Sequence, residues 1–103
     1  MRSKNKPAQA TDERQWVQMI KLMPCGVCGE GGGWSAPSHA HEIEQGQWFT
    51  SIPLCEGCHT GAFNGIHGQR RLWTVLKKTE LSVLNETLRT VYEMWRQQGR
   101  VPG

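Results

Sequence analysis

Between Met23 and Gln69 the chain has no lysine or arginine. It also has no apolar run of transmembrane length, and its opening decapeptide, MRSKNKPAQA, lacks the apolar stretch of a secretory leader. These absences argue against a spanning helix or any membrane association and predict a cytoplasmic protein whose thiols stay reduced. Large apolar residues are scarce as well. Hydrophobic residues make up 37% of 103, and the twelve glycines concentrate in the middle. Such a chain has room for one small domain with a thin core, and a core that thin needs a staple, for which a structural metal serves. The net charge is only +3, and Arg2, Lys4 and Lys6 supply it from a tail without acids. Residues 1–10 therefore read as a disordered basic tail, able to add nonspecific affinity for a polyanion.

What the cation-free stretch does hold is ligand chemistry. All four cysteines and all four histidines lie between Cys25 and His67, accompanied by Glu30, Glu42, Glu44 and Glu56. Four cysteines allow three disulfide pairings, but paired C-x-x-C units in a reducing compartment favour metal. Cys25-Gly-Val-Cys28 and Cys55-Glu-Gly-Cys58 each place two thiolates within reach of one ion, and together they specify a four-cysteine structural zinc site. A lone histidine is usually structural. Four of them beside a zinc site suggest a second centre, because phosphodiester hydrolysis needs a base and a cation together, and imidazole titrates near neutrality.

Hydrophobic spacing places these residues on elements. Trp16, Met19, Ile20 and Met23 predict a helix from Asp12 to Leu22, capped by Thr11 and ended by Pro24. The glycine-rich segment 30–37 reads as a loop. Ser38 to Ile43 and Trp48 to Leu54 predict a β-hairpin, with His39 and His41 on one face and Ala40 and Glu42 on the other; Pro53 marks an edge. A second helix opens at Gly68, with Leu72, Trp73 and Leu76 inward and Arg70, Arg71, Lys77 and Lys78 sharing the outer side. Thr79 caps a third helix, whose stripe Leu81, Leu84, Leu88, Val91 and Trp95 predicts packing on the first helix or on a second copy. Gly99 stops it.

Ala40-His41-Glu42-Ile43, then Pro53-Leu54-Cys55-Glu56-Gly57-Cys58-His59, then His67-Gly68-Gln69-Arg70-Arg71 resembles the HNH, or His-Me finger (ββα-metal), nucleases. Within that superfamily the pattern is most similar to the phage and prophage nucleases of the recombination enhancement (Ref) type, which act with RecA. The resemblance spans roughly Pro24 to Trp73. It implies an α+β fold: a zinc-stapled ββα-metal core with flanking N- and C-terminal helices. Residues 11–103 would then form one nuclease domain, with the knuckles and metal site in 24–68 and the C-terminal helices in 69–98. It implies a DNA endonuclease in a bacterial host cell, linked to recombination, with RecA-coated DNA as a candidate partner and a monomer or homodimer as its assembly. By the same resemblance His41 is the general base, and His59 and His67 hold a catalytic Mg²⁺ or Mn²⁺. Many members carry two adjacent histidines where this chain has His41-Glu42, so either Glu42 or His39 is a further ligand. Arg70, Arg71, Lys77 and Lys78 would hold the DNA backbone. Trp34 and Trp48 could stack on bases, although packing around the loop suits at least one of them.

Two other classes compete. A zinc-knuckle module that binds DNA or protein without chemistry needs the cysteines but not the histidines. A dithiol oxidoreductase would need a βαβ context that this sequence lacks.

Overall fold

The computed structural model describes residues 9–102; residues 1–8 of the expected basic tail lie outside them. Helix α1 covers Thr11–Lys21 and buries Val17 and Ile20. Its capping position is Ala10, not Thr11. The Glu13 carboxylate accepts from the Ala10 N–H at 2.7 Å, so an acid of the first turn satisfies the end that the Thr11 hydroxyl was expected to cap. At the other end the glycine-rich loop folds back onto the helix. The Gly33 N–H donates to the Leu22 carbonyl at 3.0 Å and the Ser38 N–H to the Lys21 carbonyl at 2.8 Å. Carbonyls that α1 leaves unpaired thus find donors in the loop that leads to the first strand.

Strands β1 (His39–Glu42) and β2 (Ser51–Leu54) pair antiparallel, with His39 opposite Leu54 and His41 opposite Ile52. The hairpin is the expected one, but its second strand is shorter. Trp48–Thr50 form a single 3-10 turn, which sets Phe49 against Trp16 at 5.5 Å between ring centroids. All four residues of β2 are buried, because α1 and the last helix both pack on this strand. Pro53 donates nothing, but its carbonyl accepts from the Gly26 N–H at 2.8 Å. The first knuckle thus sits on the open edge of the sheet.

Three helices follow: α2 (Glu56–Thr60), α3 (Arg71–Val75) and α4 (Glu80–Gln97). The result is a small mixed α/β arrangement of four helices and a two-stranded antiparallel sheet among the described residues. Its core gathers Val27, Ile52, Leu54, Ile66, Trp73 and Val83 around Cys25 and Cys58.

Two expectations need correction. The second helix is only five residues long, flanked by left-handed Arg70 (φ 56°) and Lys77 (φ 55°). Trp73 is buried, whereas Leu76 faces solvent. In α4 the buried stripe is Val83, Thr87 and Val91, while Leu81 and Leu88 are exposed. The reason is closeness of approach. A Cβ on Gly26 would lie 2.4 Å from Val83 Cγ1, so α4 packs too near the first knuckle for a leucine row. Thr79 does cap α4, accepting from the Ser82 N–H at 3.0 Å. Gly99, at φ 75°, ends it: the Arg100 N–H reaches back to the Trp95 carbonyl at 2.8 Å.

Candidate metal centres

The first centre follows from chain direction. Leaving α1, the chain turns at Cys25-Gly-Val-Cys28; leaving β2, it enters α2 with Cys55 at the capping position and Cys58 one turn in. The four sulfurs lie within 4.8 Å of one another, and none is in a disulfide. Cys28 and Cys55 stand 3.6 Å apart, close to the edge of about 3.8 Å that a tetrahedron of Zn–S bonds of about 2.3 Å requires. Burial pushes the Cys25 thiol up, but the amides of Cys28, Cys55 and Val27 outweigh it and bring the group down to about 7. Burial raises Cys28 to about 11, with the neighbouring thiols Cys55 and Cys25 adding to it. Burial and the charge on Cys25 also drive Cys58 upward. Cys25, eased toward the thiolate, beside Cys28 and Cys58, which resist ionising, makes a cluster that a divalent cation would relieve by taking all four as thiolates. The donor set and spacing fit a structural zinc ion.

The second centre needs three segments. His41 projects from β1, and His59 is the residue after Cys58 on α2. His67 comes from a loop that doubles back: the Ile66 N–H donates to the Cys58 carbonyl at 2.9 Å and the His67 N–H to the His59 carbonyl at 3.2 Å. That return depends on glycine, since a Cβ on Gly65 would lie 2.5 Å from the Gly61 carbonyl oxygen. Ligating nitrogens of His41, His59 and His67 lie within 4.8 Å of one another. The ring centroids are 5.0 Å (His41 to His59), 5.3 Å (His41 to His67) and 5.0 Å (His59 to His67) apart. His41 is buried, His59 half-buried and His67 exposed, so the cluster opens to solvent on one side. Burial, followed by the neighbouring rings of His41, His39 and His67, lowers His59 to about 4. It is therefore a neutral imidazole with a lone pair to offer at physiological pH. Three imidazoles suit a transition-series divalent ion; they fit Mg²⁺ poorly, since it prefers oxygen ligands.

The remaining candidates fall outside this triangle. His39 Nδ1 lies 2.9 Å from His59 Nδ1, on the ring edge away from His41, which approaches His59 Nε2 at 3.2 Å. His39 thus stands behind a candidate ligand. Glu42 belongs to the other face of β1, and its carboxylate accepts from the Gly46 N–H at 2.7 Å in the hairpin turn. A carboxylate does reach the cluster, but from α4: Glu80 Oε2 lies 2.6 Å from His41 Nε2. Nothing in the spacing of the chain pointed to Glu80, which is 39 positions from its partner and reads as an ordinary acid at a helix start.

The basic residues divide. Arg70, Arg71 and Lys77 are exposed, with the Arg71 guanidinium over the Phe63 ring at 4.9 Å. Lys78 turns inward, donating to the Gly26 carbonyl at 3.1 Å and to Glu86 at 2.9 Å. Trp34 is 80% exposed and free of the core, while Trp48 is half-buried. No helix among the described residues is long and apolar enough to cross a membrane. No protein-family model, curated protein or solved structure matches this chain.

Proposed function

We propose that the chain is a metal-dependent endonuclease that hydrolyses phosphodiester bonds of DNA, with a ββα-metal core formed by β1, β2 and α2. The observation that carries this reading is the convergence of His41, His59 and His67, from a strand, a helix and a loop, on one solvent-open point. The hairpin-then-helix order and the A-H-x-I and L-C-x-x-C-H motifs agree with it.

In this reading His59 and His67 would hold a divalent ion, which would supply positive charge opposite the phosphate and the leaving oxygen. His41 accepts a proton on Nδ1 from the attacking water as the oxygen–phosphorus bond forms. The P–O3′ bond then breaks, leaving a 5′ phosphate; the O3′ alkoxide takes a proton from solvent to become the 3′ hydroxyl, and His41 returns its proton to solvent. Arg70, Arg71 and Lys77, exposed at the start of α3 and just past its end, would hold the backbone without reading sequence. The link to RecA-coated DNA and to a phage or prophage setting rests on the motif resemblance alone.

The test is conversion of supercoiled plasmid to nicked circles with Mn²⁺, Zn²⁺ or Mg²⁺ added in turn. Nicking is expected with a transition ion and should fall by about 10²–10⁴-fold in His41→Ala. No nicking with any ion, with DNA binding intact, would leave the non-catalytic zinc-knuckle module as the better reading.

A further inference from the structure

His41 is buried on the hairpin, with 7% of its surface exposed, and both of its ring nitrogens are spoken for. Nδ1 faces His59 at 3.2 Å, inside the cluster, and Nε2 faces Glu80 Oε2 at 2.6 Å, outside it. A carboxylate accepts and does not donate, so the proton of that short contact belongs to His41 Nε2. A neutral imidazole with its proton on Nε2 has its lone pair on Nδ1, aimed at the point where the three rings meet. Without an acceptor at Nε2 the ring could place its proton on either nitrogen, and the form with Nδ1 protonated can neither take a proton there nor bind a cation.

We infer that Glu80 is the positioning residue of the histidine cluster, fixing His41 in the tautomer whose lone pair faces inward. Its own placement explains how it does so. Glu80 is the first residue of α4, after the Thr79 cap, and two ties hold the segment before it to the rest of the molecule. Trp73 Nε1 donates to the Cys58 carbonyl at 3.0 Å, and Lys78 Nζ donates to the Gly26 carbonyl at 3.1 Å. The carboxylate is thereby delivered from a fixed helix start. His39 Nδ1 lies 2.9 Å from His59 Nδ1, the nitrogen that faces away from His41, but an imidazole can donate or accept there and so does not fix the tautomer of its neighbour as a carboxylate does. A carboxylate on the outer nitrogen of a cluster ring, as Glu80 is on His41, is the arrangement by which proteins orient histidines for metal work.

This inference deepens the nuclease reading but can be tested apart from it. Long-range ¹H–¹⁵N correlation spectra of the full-length protein report which nitrogen of each histidine is protonated. At neutral pH and without added catalytic ion, His41 is expected as the Nε2–H form alone. In Glu80→Ala it should become a mixture of both tautomers. Glu80→Gln keeps a carbonyl acceptor in place and should keep the parent form. In plasmid nicking, kcat should fall by about 10–100-fold in Glu80→Ala with KM for DNA unchanged, and Glu80→Gln should recover most of the loss. A purely structural role at the helix start would lower the melting temperature without changing the tautomer. An Nδ1–H form in the parent, or an unchanged His41 spectrum in Glu80→Ala, overturns the assignment. If Glu80→Ala does not fold, the parent tautomer and its retention in Glu80→Gln decide the matter. A tautomer that depends on Glu80 in a protein that never nicks DNA would sink the nuclease reading and leave this one standing.

Discussion

The thiol cluster and the imidazole cluster are built from adjoining turns of the same stretch of chain, yet they differ in burial and reach. Cys25 and Cys58 are sealed in the core, and all four thiols come from two short turns. The histidines come from a strand, a helix and a returning loop, and they run from buried His41 to exposed His67. A closed four-sulfur set suits an ion that holds a fold together. An open set with a free side suits one that meets a substrate. The comparison teaches that similar ligand density can serve cohesion in one place and access in another, and that solvent exposure distinguishes the two.

Breaking the closed cluster should have the largest effect. Cys58→Ser is expected to release the metal and abolish cooperative unfolding, a loss on the order of the whole 5–15 kcal/mol of a small domain. Thermal melting together with metal analysis would measure it. His67→Ala, on the open cluster, should shift Tm by less than about 4 °C while abolishing nicking. Equal destabilisation by the two would erase the distinction.

Acid should probe the open cluster next. The ordinary histidine value is 6.5, and His59 in the folded chain lies at about 4. Between those values the unfolded chain takes up the proton and the folded one resists it. The contribution of His59 is therefore full above pH 6.5, declines as pH falls toward 4, and levels off below. Urea unfolding across that window should show this decline in the parent and a shallower one in His59→Gln. Parallel curves would mean that His59 does not sense its neighbours.

The smallest effects separate two adjacent lysines. Lys78→Ala strips the Gly26 carbonyl of its donor and should cost about 1–2 kcal/mol in chemical denaturation. Lys77 is exposed and left-handed just past α3; the Lys78 N–H returns to the Trp73 carbonyl at 2.8 Å, in the manner of a glycine-terminated helix. Lys77→Gly should therefore gain up to about 1 kcal/mol while weakening DNA binding.

What could be read in the sequence follows the distance over which each feature acts. The knuckles were legible because two-residue spacing is itself the ligand geometry. The shared face of His39 and His41 was legible because strand alternation is local. His67 was harder: its approach depends on a loop closing over Gly61 and Gly65, which periodicity does not describe. Glu80 was out of reach, since its partner lies across the fold. The stripe of α4 misled because leucines at heptad spacing outweigh Val83, Thr87 and Val91 on hydrophobicity. The tight approach at Gly26 selects the smaller row, and no local pattern carries that fact. Lys78 likewise looked like surface charge until its partner Gly26, from the other end of the domain, was in place.

Trp73 and Lys78 moor one short segment to both cysteine turns, and the next residues of that segment carry the carboxylate that grips His41. The two clusters thus share a mechanical anchor. Anything that pries the sulfurs apart would also slacken the hold on the histidine. The grip on His41 and the cohesion of the domain would therefore be lost together.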